Sequence, residues 1–130
     1  MLQSLVISGF YSGILAIILL ALSFKVIGLR REHKVGIGDG DNAELAKAIR
    51  VHANFIEYVP LSILLLAISE LNGAAPWFLH AMGGLLVTCR FLHAIGLSSS
   101  IGTSWQRFVG TLGTFITLLI LAIANIISIF

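Results

Sequence analysis

Residues 48–60 read Ala48-Ile49-Arg50-Val51-His52-Ala53-Asn54-Phe55-Ile56-Glu57-Tyr58-Val59-Pro60, and from there the chain is almost purely apolar to Ser69. This is the opening half of a membrane-spanning helix into which a base, an amide and an acid have been set. On a helix Arg50, Asn54 and Glu57 fall at i, i+4 and i+7, so all three share one face. Polar side chains on one face of an apolar helix are expensive in lipid, so this face is expected to meet protein or a wet cavity. It is therefore the first candidate for a functional site.

Composition agrees with a membrane setting. The chain has 130 residues, 58% of them hydrophobic and 11% charged, with a mean hydropathy of +1.02. A soluble domain carries about 25% charged residues. At 1.5 Å per residue, about 20 residues cross a hydrocarbon layer of about 30 Å. There is room for four spans in a single domain covering residues 1–130, expected at about 5–29, 43–69, 76–97 and 105–129. The first span lacks a basic start and a small-residue cleavage site, so it reads as a retained helix rather than a signal peptide.

The punctuation between spans is clear. Span 1 contains Gly9-x-x-x-Gly13, a spacing that permits close helix contact, and runs into Arg30-Arg31-Glu32-His33-Lys34. The glycine- and aspartate-rich stretch from Gly36 to Asn42 says turn, and Asp41 or Asn42 is expected to cap span 2, with Glu44 in its first turn. Pro60 is expected to kink span 2 by removing a donor near the carbonyl of Ile56. The short connection from Glu70 to Ala75 leads to Pro76, well placed to open span 3. A serine-rich turn, residues 98–104, precedes span 4, where Gly110 and Thr114 form a small pair suited to a helix contact. The fold class is an all-α membrane protein, an antiparallel four-helix bundle.

All eight Lys and Arg residues, at positions 25, 30, 31, 34, 47, 50, 90 and 107, lie around the first and third connections. By the positive-inside rule those connections, loops 1 and 3, are expected to be cytoplasmic, with the N- and C-termini on the periplasmic side. That arrangement puts Arg50, Asn54, Glu57, Arg90, His93 and Arg107 in one layer of the bundle's cytoplasmic half.

Each member also has a purely structural reading. Arg50 near a helix end can snorkel to the headgroups. Glu57 wants a cation, with Arg50, Arg90 or a charged ligand as candidates, and the group could be an ion network that only locks the bundle. His93 alone is most simply a satisfied structural histidine; His52 points away from the polar face, and His80 belongs near the opposite surface. Cys89 reads as a small buried hydrophobe. No His/Cys/Asp/Glu group has zinc-site spacing, the Asp39-x-Asp41 pair lacks the other ligands of a calcium loop, and nothing in the charge pattern supports a nucleic-acid partner. The complement of three arginines, an acid and amides is an amphipathic zwitterion with more negative than positive charge. An arginine beside a weak acid such as a thiol would raise its anion fraction.

The combination Arg50-x-x-x-Asn54-x-x-Glu57-Tyr58-x-Pro60, with Arg30 ending span 1 and Arg90-x-x-His93 in span 3, resembles the MAPEG family, the membrane-associated proteins in eicosanoid and glutathione metabolism. It is most similar to small bacterial inner-membrane members. The resemblance implies a homotrimer with glutathione bound between neighbouring subunits. By position Arg50, Asn54, Glu57 and Tyr58 would hold glutathione, Arg30 and Arg90 would meet its charged ends or the acid of span 2, and Arg107 would stabilise the thiolate. Two tyrosines carried on span 3 by glutathione-using members read here as His93 and Leu97, and Leu97 cannot donate a hydrogen bond.

The expected function is a glutathione-dependent transferase or peroxidase acting on a lipophilic small molecule that enters from membrane lipid. The alternatives are a non-catalytic membrane protein that binds glutathione or a lipid anion, and a small proton-coupled exporter built on Glu57. The arginines around Glu57 argue against the exporter, because they should hold the acid ionised.

Overall fold

The structure, a computed structural model, describes residues 4–96 and 104–130. It contains four helices, α1 (Val6–His33), α2 (Ala43–Leu71), α3 (Pro76–Ile95) and α4 (Trp105–Ile127), each long and apolar enough to cross a membrane. The sequence signals act where they stand. The Asn42 side chain accepts from the Leu45 N–H at 2.9 Å and caps α2, while Asp41 takes a left-handed turn conformation. Pro76 occupies the first turn of α3, and the Ser104 hydroxyl accepts from the Arg107 N–H at 3.3 Å to cap α4. α1 runs past Leu29 through Arg30–His33 and ends at Lys34, whose φ of 56° turns the chain out of the helix. α2 remains helical through Pro60.

One helix end is capped from outside its own sequence. Leu5 provides no side-chain cap to α1. Instead the Glu70 carboxylate accepts from the Ile7 N–H at 2.9 Å, the Ser8 N–H at 2.7 Å and the Ser8 hydroxyl at 2.5 Å. The sequence places Glu70 in a loop; α2 in fact extends to Leu71 and delivers it to the positive end of α1. This contact sets the end of α2 against the start of α1, so the two run antiparallel.

The other pairings complete an up-down-up-down bundle. Tyr11 near the start of α1 hydrogen-bonds His80 near the start of α3, with 3.0 Å from its hydroxyl to Nδ1. Cys89 and His93 late in α3 face Gly110 and Gly113 early in α4. α2 and α3 touch across the middle, and α1 and α4 occupy opposite corners. Apolar clusters run the length of the core, from Tyr11, Leu66, Leu79 and Leu121 at one end, through Leu15, Phe55 and Leu86, to Leu29, Leu45 and Ala48. Large apolar side chains such as Ile17, Phe24, Leu64, Phe91 and Leu119 point outward, as lipid requires. Ser23, Ser62, Thr114 and Thr117 donate their hydroxyls one turn back along their own helices, so these polar groups stay satisfied in an apolar setting.

The two small-residue pairs have different fates. Nothing approaches the positions a side chain would take at Gly9 or Gly13, so that spacing makes no helix contact within the chain. At Gly110 an added Cβ would overlap the Cys89 carbonyl oxygen and the His93 Cβ, so α3 and α4 meet there because the residue is glycine. Gly110→Ala should therefore destabilise the detergent-solubilised protein by about 1–3 kcal/mol in chemical or thermal unfolding, while Gly13→Ala should change it by less than about 0.5 kcal/mol.

Candidate functional site, an arginine-lined groove

α2 turns Val51, Phe55 and Val59 into the core. Its polar face lies beside that stripe and is split in two. Asn54 is half-buried and faces α3. Arg50 and Glu57 pair with each other, Nη1 to Oε1 at 3.5 Å, on a surface where their side chains are 66% and 45% exposed. Of the partners considered for Glu57, the chain supplies Arg50.

Arg90 is the largest fully buried side chain, 1% exposed. Its Nη2 donates to Asn54 Oδ1 at 2.9 Å, Nη1 lies 3.5 Å from Thr114 Oγ1, and its guanidinium carbon is 5.6 Å from the centre of the Phe55 ring. The Thr114 hydroxyl donates to the Gly110 carbonyl at 2.7 Å, which leaves its oxygen free to accept from arginine. The aromatic face adds a cation–π attraction. No carboxylate among the described residues pairs with this cation, and its Nε–H has no acceptor. One turn on, His93 is 5% exposed and its Nδ1 also lacks a partner.

Beside this buried pair a groove of about 640 Å³ opens between α2, the end of α3 and the start of α4. Arg50, Asn54, His93, Ser104, Arg107 and Thr111 contribute its polar lining, and Trp105 and Phe108 its aromatic wall. Gly96 is needed at its rim, because a Cβ there would overlap the side chain of Arg107. Two arginines at the surface and a third behind Asn54 make the groove electropositive. Such a site suits a ligand with more than one carboxylate, held by forked hydrogen bonds.

The structure thus brings together Arg50, Asn54, Arg90, His93 and Arg107 from three helices. It does not bring Arg30, whose Nη1 donates to the Gly38 carbonyl at 2.8 Å and lies 3.4 Å from those of Val35 and Gly36, fastening the first connection. Glu57 and Tyr58 lie outside the groove's lining; Tyr58 packs edge-on against Phe115 with ring centres 5.0 Å apart. Leu97 and residues 98–103 of the serine-rich turn fall outside the described residues. His52 is engaged by Ser23 at 3.0 Å and His80 by Tyr11, so both sit apart from the groove. Sequence reasoning missed Thr111, and it read Thr114 as a helix contact but not as a partner of Arg90. The first stands at i+4 from Arg107 and was legible from spacing; the second becomes relevant only because α4 packs on α3.

Comparison with known proteins agrees with this architecture. The sequence profile of the MAPEG family matches residues 8–127. Two curated relatives, each named inner membrane protein YecN, one from Escherichia coli strain K12 and one from Escherichia coli O6:H1, are 37% identical over 120 residues, covering 92% of this chain and 90% of theirs. No solved structure matches.

Because no carboxylate among the described residues pairs with the buried Arg90, its supports should matter more than its charge. Asn54→Leu removes the best acceptor and should cost about 1–3 kcal/mol in unfolding experiments. Adding Arg90→Met to that variant should restore most of the loss, because an uncharged side chain of similar length no longer needs the acceptor.

Proposed function

The chain belongs to the MAPEG family, and on that premise we propose that its arginine groove binds glutathione and activates the thiol toward a lipophilic electrophile or peroxide. The observation that carries the reading is the convergence of Arg50, Asn54, His93 and Arg107 on one groove, with Arg90 buried behind it. Glutathione has two carboxylates, one ammonium and one thiol, which matches a site rich in cations with acceptors beside them. Arg50 and Asn54 take the charged ends. Glu57, exposed beside Arg50, is available for the ammonium. Arg107 faces the thiol and stabilises the thiolate electrostatically.

In conjugation the S–H proton leaves to water, the thiolate sulfur forms a C–S bond, and the electrophile's leaving group departs with its electron pair. With a hydroperoxide the thiolate attacks the outer oxygen, the O–O bond breaks to release an alcohol, and a second glutathione converts the resulting sulfenic acid to disulfide and water. Trp105 and Phe108, both largely exposed, form an apolar approach from the bilayer.

The functional unit in this reading is a homotrimer with the site between neighbouring subunits. The Arg50–Glu57 pair supports it: a charged pair on the outside of a membrane helix needs protein or a polar ligand against it rather than acyl chains. Tyr58, the next residue after Glu57 and packed against Phe115, would meet the ligand from the α4 side. Arg30, held on the loop carbonyls, would act on the ligand's charged ends only through the first connection. The protein resides in the inner membrane, with the termini periplasmic and connections 1 and 3 cytoplasmic. A periplasm-active reporter fused at the C-terminus should be active and a cytoplasm-active one silent; the reverse pattern overturns the orientation.

A second reading has one specific feature in its favour. Leu97, where glutathione-using members carry a tyrosine, supplies no hydrogen bond, so a binding protein without turnover is the alternative. Detergent-purified protein with glutathione and chlorodinitrobenzene or cumene hydroperoxide separates the two. Turnover should appear, and Arg107→Ala should lower kcat by about 10²–10³-fold, whereas Arg50→Ala should mainly raise KM for glutathione. Calorimetric binding with no turnover selects the second reading, and absence of both overturns the site.

A further inference from the structure

α3 ends on a glycine that its backbone does not require. Glycine at a helix end is ordinarily explained by a left-handed φ, the conformation that Lys34 adopts to close α1. Gly96 instead has φ −56° and ψ −17°, and its N–H still donates to the Leu92 carbonyl at 3.1 Å. Any residue adopts that conformation, and alanine, the better helix former, would suit it. What excludes a side chain is α4. A Cβ on Gly96 would overlap Arg107 Cγ, and would lie 2.8 Å from Ser104 Oγ and 3.3 Å from the Arg107 amide nitrogen.

The backbone of α4 is held against that end of α3. Ser104 caps the helix by accepting from the Arg107 N–H at 3.3 Å, and Gly110, about one turn further on, is set against the Cys89 carbonyl. Relief of an overlap at Gly96 therefore falls on the arginine side chain. Cγ is the first atom beyond Cβ, so moving it means rotating χ1, which carries the guanidinium at the far end of the stem out of its place. Arg107 lines the groove, so the fit at Gly96 decides where in the groove its cation lies.

We propose that Gly96 is the positioning residue of Arg107. Bare of a side chain, it lets the arginine stem lie across the end of α3 and keeps the guanidinium at the thiol position of the groove. The proposal rests on the glutathione reading above, in which Arg107 stabilises the thiolate. Gly96 itself acts only through the arginine.

The test is a cycle of Gly96→Ala, Arg107→Ala and the double variant, followed as detergent-purified protein turning over glutathione and chlorodinitrobenzene across a range of pH. Gly96→Ala should lower kcat by about 10–10²-fold, since a displacement of about 1 Å is enough for that, and should leave KM for glutathione within about two-fold. The acid limb of kcat should move to higher pH, because a thiol whose cation has swung away ionises less readily. A merely structural loss would leave that limb in place. Arg107→Ala removes the overlapping Cγ, so in that background Gly96→Ala should change kcat by less than about two-fold. If Gly96→Ala alone does not fold, the double variant should, and a double variant that also fails overturns the proposal. Wild-type kcat in Gly96→Ala, an unmoved acid limb, a raised KM alone, or a loss repeated in full without the arginine overturns the positioning role and leaves the glutathione reading standing. Absence of turnover in the wild-type protein overturns the catalytic reading, and the proposal with it.

Discussion

A guanidinium taken out of water with no carboxylate among the described residues to meet it is the constraint around which this bundle is arranged. Desolvating a charge costs several kcal/mol even after relaxation, so Arg90 must be surrounded by groups that compensate. Two neighbouring helices supply them: Asn54 and Phe55 from α2, and Thr114 from α4. Gly110 belongs to the same solution. It lets α4 approach the backbone of α3, and its carbonyl takes the Thr114 hydroxyl proton so that the threonine oxygen faces the cation. The groove opens next to this junction because the same closeness of α3 and α4 sets His93 and Arg107 side by side.

Two acids on α2 show how position decides the fate of a membrane carboxylate. Glu70, on the last turn, is consumed by structure: the free amides at the start of α1 and the Ser8 hydroxyl satisfy it within the chain. Among the described residues Glu57 pairs only with Arg50, at 3.5 Å, and its side chain stays 45% exposed. The contrast separates a residue that holds helices in register from one available for recognition. A similar contrast divides the ends of the molecule, where one cavity is lined by arginines and the other by neutral amides, hydroxyls and aromatic rings.

Much of this was legible in the residue order. Four spans followed from hydropathy, and the caps at Asn42 and Pro76 followed from residue types whose local chemistry acts wherever they stand. The alignment of Arg50, Asn54 and Glu57, the divergence of His52 from that face and the closeness allowed by Gly110 and Thr114 are consequences of helical periodicity and side-chain size. Spacing alone, however, treated Gly9 and Gly13 as the equal of Gly110 and Thr114, and only the second pair meets a neighbour within the chain.

Tertiary structure decided the partners. Arg90 went to Asn54 rather than to Glu57, Arg30 to loop carbonyls rather than to the polar layer, and Glu70 to the end of a helix sixty residues earlier in the chain. The reason is physical. Periodicity determines which residues share a face because it is a property of the local backbone. The rotation of each helix about its axis, and hence what that face meets, depends on how all four pack at once. The sequence by itself therefore determined that this chain is a four-span membrane bundle with a polar layer in it; the packing of α2, α3 and α4 determined which of those polar groups became a buried support and which became a site.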